Sequence, residues 1–107
     1  MLNGPYHMKL GILVNTDRHA NDLVGIANAA LLKGHEVIVF FMDTAVKLLS
    51  SQNIKDLCNH PGISISFCDY TTEKNGVSKE EFCDKMICGS QYNNATMNSE
   101  ADRVIVL

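Results

Sequence analysis

The chain has 107 residues, of which 46% are hydrophobic and 20% charged, with a formal net charge of −3 and a pI near 5.7. This is one domain's worth of sequence with enough apolar material for a core, which excludes a disordered tail. The Lys and Arg residues are scattered, which speaks against nucleic acid as a partner, and no run reaches the roughly 18 apolar residues needed to cross a membrane.

The leader "MLNGPYH" precedes Met8 and has no signal-peptide layout. Residues 1–107 are taken as a single domain, with 1–8 a disordered leader or an added remnant outside the fold reasoning. "KLGILVN" (Lys9 to Asn15) is a short apolar run and reads as a buried strand. After the polar "TDRHAN", Leu23, Ile26, Ala27, Ala30 and Leu31 recur at helical spacing, and Gly34 stands where a left-handed C-cap is wanted. "EVIVFFM" (Glu36 to Met42) is rich in β-branched and aromatic residues and reads as a second strand, parallel to the first across a right-handed βαβ unit.

"TAVKLLSS" and "IKDLC" form a helical stretch broken near Ser51 and ended by "HPG". In the next strand Ile63, Ile65 and Phe67 alternate with Ser64, Ser66 and Cys68. The second face of that strand is made of small residues, so either something packs closely there or the sheet is lightly covered. A polar stretch follows and reads as a long loop. Ser78 and Glu81 then have capping-box spacing, with Val77 and Phe82 placed as a hydrophobic staple, and predict a helix running to a C-cap at Gly89. "QYNN" reads as a short strand or turn, "ATMNSEA" as a short helix, and "RVIVL" (Arg103 to Leu107) as a closing strand. The alternation predicts a three-layer α/β/α sandwich around a mainly parallel sheet of about five strands. Phe40, Phe41, Met86 and Met97 look surplus to one sheet's needs, which predicts a homo-oligomer with an apolar interface.

The cysteines are Cys58, Cys68, Cys83 and Cys88. Small disulfide-bonded folds are loop-rich. Strand–helix alternation with a good core points instead to free thiols in a reducing, cytoplasmic setting. The spacings contain no C-x-x-C or H-x-x-x-H, and two cysteines five apart on a helix lie about 140° apart, so no metal site is expected. No glycine-rich phosphate loop occurs, and no cofactor is expected.

In open α/β sheets the ligand crevice lies beyond the C-terminal strand ends, which here are the segments 15–21, 43–45 and 68–77. Asp17, Arg18 and His19 in the first could serve a small polar ligand; the plainer reading is a solvated loop with Asp17 or Asn21 capping the helix. Cys58, Cys83 and Cys88 read as small hydrophobes in helices. Cys68 ends a strand and opens a loop, which leaves two readings, core filler or functional thiol. Lys74 and Lys79 would favour its thiolate and Asp69 would oppose it. Asn15, Thr16, Asp43, Asp69 and Lys74 are the candidate lining residues.

From Lys9 onward the chain resembles the DsrE/DsrF-like family of small sulfur-relay proteins, which includes the TusD-type subunits. The resemblance rests on "ISISFCDYTTEKNGVSKEEF" and "ATMNSEADRVIVL". A strand ending on Cys68 leads to Gly76-Val77 with Phe82, and a short helix precedes Ala101-Asp102-Arg103-Val104-Ile105. Met42 to Val46 corresponds to the family's D-G-V region, with Thr44-Ala45 in place of the glycine. The resemblance implies a flavodoxin-like sandwich, assembly as trimers or hexamers, and sulfur-donor and sulfur-acceptor proteins as partners. It also implies a carrier or sulfurtransferase role, with sulfur held on Cys68 as a persulfide. The alternative is a ligand-binding or assembly module whose Cys68 is inert.

Overall fold

Four of the apolar runs become strands within a residue of the expected bounds. The computed structural model describes residues 7–107; residues 1–6 of the leader lie outside them. In chain order it shows β1 (Lys9–Val14), α1 (Ala20–Leu32), β2 (Glu36–Phe41), a 3-10 turn (Asp43–Leu48), α2 (Gln52–Cys58), β3 (Ile63–Cys68), α3 (Asp69–Lys74), a second 3-10 turn (Lys79–Glu81), β4 (Ile87–Gly89), α4 (Gln91–Glu100) and β5 (Arg103–Val106). His7 and Met8 join the fold: the Met8 N–H donates to His35 Nδ1 (3.0 Å) and its carbonyl accepts from Glu36 (2.9 Å).

The strands form one five-stranded sheet in the order β4-β3-β2-β1-β5, and every neighbouring pair is parallel. Steps from β1 to β4 all run the same way across the sheet, so right-handed crossovers place their connections on one face. The step from β4 to β5 runs back across the whole sheet and places α4 on the other face. The core follows this division. On the first face Ile12, Val14, Val37, Val39, Phe41, Ile65 and Phe67 meet Leu23, Ala27 and Leu31 of α1 and Ile54 and Leu57 of α2. On the second, Phe40, Cys68 and Met97 form a smaller cluster edged by Leu13, Ile38, Met42 and Val104. A Cβ on Gly11 would stand 3.0 Å from Ala101 Cβ and 3.1 Å from Met97 Cγ, so the small residue lets α4 lie close on β1.

Gly34 takes φ +82° just past α1, as its position required. The helix itself starts at Ala20 with His19 as the cap residue, so neither Asp17 nor Asn21 caps it. The helical stretch after β2 does break near Ser51, into the 3-10 turn and α2.

Between β3 and α4 the expectations fail. The polar stretch read as a loop is α3, whose inner side is Thr71 and Thr72. Ser78 caps only one 3-10 turn, accepting from the Glu80 N–H (3.3 Å), and by Phe82 the backbone is extended. The Phe82 ring packs edge-on against Phe67, centroids 5.2 Å apart, and this tertiary contact turns the chain away from a helical path. Consequently Cys83 lies in irregular chain and Cys88 in β4, not in a helix, and "QYNN" begins α4. Phe40, Phe41 and Met97 are also not surplus: each is buried within the chain.

Candidate functional site

Adjacent parallel strands whose following connections leave to opposite faces open a crevice at their C-terminal ends. Here that pair is β3 and β4. The connection after β3 packs Val77, Phe82, Cys83 and Met86 on the larger cluster, whereas α4, after β4, places Met97 on the smaller one. Cys68 is the last residue of β3 and stands opposite Gly89, the last of β4.

The Cys68 side chain points to the α4 face and is 5% exposed, between Phe40 and Met97. Cys68 is thus a buried thiol that leads into a helix and not, as expected, into a loop. Its backbone is held from α3: the hydroxyls of Thr72 (2.9 Å) and Thr71 (3.3 Å) both donate to the Cys68 carbonyl. These bonds satisfy the β-branched residues that make α3 a poor helix by propensity.

Asp69 is the first residue of α3 and forms an ion pair with Lys79. The Lys79 ammonium holds the Asp69 carboxyl below its ordinary range, and the Cys88 thiol, donating to the same carboxylate, adds to the effect. Cys88 is exposed on the edge strand, and its thiol is raised above the ordinary value by partial burial and then by the Asp69 carboxylate. Sequence reasoning took Cys88 for a helical hydrophobe. The signal that could have found it is the apolar triplet Ile87-Cys88-Gly89, too short to show a period.

The other expected lining residues divide. Asp43 is exposed at φ +52°, a left-handed conformation, and its carbonyl accepts from the Asn75 amide (3.3 Å), which ties the end of α3 to the start of the 3-10 turn. Asn15 and Thr16 follow β1, two strands from β3 and so about 10 Å across the sheet from Cys68. The Asn15 N–H donates to the Leu107 carbonyl (3.0 Å). The Thr16 hydroxyl is buried without a hydrogen-bond partner among the described residues. Lys74 is exposed at the last position of α3, and Lys79 rather than Lys74 meets Asp69. The structure thus gathers Cys68, Asp69, Lys79 and Cys88 at the β3–β4 edge and Asp43 with Asn75 beside it.

Among the described residues no group of three or more His, Cys, Asp or Glu side chains could hold a metal ion, and no helix is long and apolar enough to cross a membrane.

The family model described as DsrE/DsrF-like matches residues 8–107. Two solved structures share the fold. One is the YchN protein from E. coli, at 16% identity and TM-score 0.69, covering 94% of this chain and 99% of that one. The other is MTH1491 from Methanobacterium thermoautotrophicum, a protein of unknown function, at 15% identity and TM-score 0.67 with the same coverage. No curated protein matches the sequence.

Proposed function

The chain belongs to the DsrE/DsrF-like family, and from that premise we propose that it is a sulfur-relay protein that carries sulfane sulfur as a persulfide on Cys68. The supporting observation is the placement of Cys68 at the C-terminal end of β3, on the strand pair where the connections part to opposite faces. In loading, the Cys68 thiolate attacks the outer sulfur of a donor persulfide. The donor's inner sulfur leaves as a thiolate and takes up a proton, and Cys68–S–SH remains. In unloading, an acceptor thiolate attacks that outer sulfur and Cys68 leaves. No cofactor enters either step.

Burial sets the terms of this chemistry. A persulfide under Phe40 and Met97 is shielded from small thiols that would strip it. It exchanges only when α4 opens at its first turn, where the Gln91 amide stands 3.6 Å from Met42 Sδ. Donor and acceptor proteins, docking at the β3–β4 edge, supply that opening. The reading places the chain in the cytoplasm, in an assembly of several copies.

The same burial favours a second reading, an assembly or ligand-binding module with Cys68 inert in the core. Mass spectrometry after exposure to a persulfide donor separates the two. Under the relay reading Cys68 gains one sulfur and Cys68→Ala takes up none there. Loading of Cys88 alone, or of no cysteine, sinks the Cys68 reading.

A further inference from the structure

At the end of the sheet opposite Cys68, the segment before β1 lies across the turn between α1 and β2. His7 makes two contacts there. Its Nδ1 stands 2.8 Å from the Gly34 carbonyl oxygen, and its Nε2 stands 2.9 Å from Glu36 Oε2. Met8 is pinned to the same turn: its N–H donates to His35 Nδ1 (3.0 Å), and its carbonyl accepts from the Glu36 N–H (2.9 Å). The His7 side chain is 19% exposed and that of Glu36 is 50% exposed. Both edge a cavity of about 460 Å³ that Leu31, His35 and His60 also line.

These contacts fix where the protons sit. A carbonyl oxygen only accepts, so His7 Nδ1 carries a hydrogen. A carboxylate also only accepts, so Nε2 carries one as well, and the ring is an imidazolium. A neutral His7 would turn a nitrogen lone pair toward one of the two oxygens and lose that bond. His35 is the reverse case: its Nδ1 accepts from Met8, so the hydrogen of its neutral ring is on Nε2. The two ring centroids are 6.4 Å apart, so one charged and one neutral imidazole stand side by side. Burial works against a charged His7, and the carboxylate with two charge-assisted bonds outweighs it.

From this geometry we propose that residues 7–8 are a pH-sensitive strap, closed over the α1–β2 turn while His7 holds its second proton between Gly34 and Glu36, and released when that proton leaves. The titratable groups that share the cavity with the ring are Glu36 at the start of β2, His35 in the turn, and His60 in the α2–β3 turn. Of these, Glu36 has the sign that favours the imidazolium. His60 Nδ1 accepts from the Gly62 N–H (2.9 Å), so that ring is satisfied without a second proton. Two lysines bracket the strap, Lys33 at the C-cap of α1 and Lys9 at the start of β1. A free histidine loses its proton near about pH 6.5. Closure binds that proton, so its contribution is fully present below that pH and is lost as pH rises through the value of the closed ring. The strap uses none of the groups at the β3–β4 edge, so the inference stands apart from sulfur carriage by Cys68.

The test is imidazole NMR and amide hydrogen exchange on the reduced, isotope-labelled full chain. At about pH 7.5 a free histidine is roughly nine-tenths neutral. There His7, assigned by its loss in His7→Gln, should show two N–H nitrogens, and His35 a single one, at Nε2. Protection of the Met8 and Glu36 amides, corrected for the intrinsic pH dependence of exchange, should fall by up to about tenfold per pH unit above about 6.5 and then level off. Glu36→Gln separates a pH device from a merely structural contact. Its side-chain amide can donate to the Nε2 of a neutral His7, so the strap should stay closed and the pH dependence should vanish. A His7 ring with one lone-pair nitrogen at about pH 7.5 overturns the proposal. So does protection that is absent or constant between about pH 6 and about pH 9, or a pH dependence that persists in Glu36→Gln.

Discussion

Cys68 touches Phe40 and Met97, and its exposure decides what substitution there will do. Removing the sulfur leaves a small void, and Cys68→Ala should cost about 1 kcal/mol. Cys68→Ser places a hydroxyl in the same apolar site and should cost about 1 kcal/mol more than the alanine. Urea midpoints check the order; equal midpoints would mean that the site is reached by water in the resting fold. Beside it, the Asp69–Lys79 pair makes a pH prediction. The folded carboxyl lies below its ordinary 3.8, so the pairing contributes stability above that value and loses it as pH falls through the folded pKa. In Lys79→Met this acid-side loss should shrink, and the Asp69 carboxyl should titrate nearer 3.8 by NMR. Cys88 should respond to the same carboxylate in the opposite variant. Asp69→Asn removes a negative neighbour that raises the thiol, so Cys88 should alkylate several-fold faster near neutral pH, with part of the slowing left because burial is the larger cause. An unchanged rate would mean that the Asp69 carboxylate does not hold the thiol in solution.

Helix α4 shows how a local device fixes an element. The Ser90 side chain accepts from the Tyr92 N–H (3.2 Å), and the Asn93 side chain accepts from the Ser90 N–H (3.0 Å), a reciprocal capping box. Gly89 makes room for it, because a Cβ there would stand 2.1 Å from Asn93 Oδ1. Gly89→Ala should therefore cost about as much as losing the cap, roughly 1–2 kcal/mol, and the pair Gly89→Ala with Asn93→Ala should fall well short of additive in denaturation. Sequence reading put the box at Ser78 instead, since S-x-x-E is the commoner spelling and a box closed by asparagine is harder to see. Strands β1, β2, β3 and β5 were legible because each is an apolar or alternating run. Strand β4 was not, being three residues long, and neither was α3, whose buried side is Thr71 and Thr72 rather than an apolar stripe. The position of Cys68 at a strand end was readable; its burial was not, because that depends on Met97, which reaches it from another helix.

At the scale of the whole molecule, the two faces of the sheet are unequally covered. One carries α1, α2 and the β3–β4 connection; the other carries α4, which buries Met97 and otherwise presents polar residues. Register places Val106 beside Leu13, and Ile87 beside Ser66, on this thinly covered face, and they are 59% and 48% exposed. Serine side chains at 64 and 66 leave β3 low there, and Ile87 and Val106 stand exposed on the two outer strands of that face. Apolar surface of this kind is stabilised by contact with another chain. The assembly expected from the sequence therefore has a better basis in Val106 and Ile87 than in Phe40, Phe41 and Met97, which are spent on the core. Light scattering at micromolar concentration should give a mass of three or more subunits. Val106→Glu combined with Ile87→Lys should lower that mass while far-UV circular dichroism stays unchanged, because neither side chain is needed inside the chain. A monomeric wild-type mass would remove the assembly from the proposal; an oligomer untouched by the double variant would place its interface elsewhere, on a surface that includes exposed Leu32 or Tyr70.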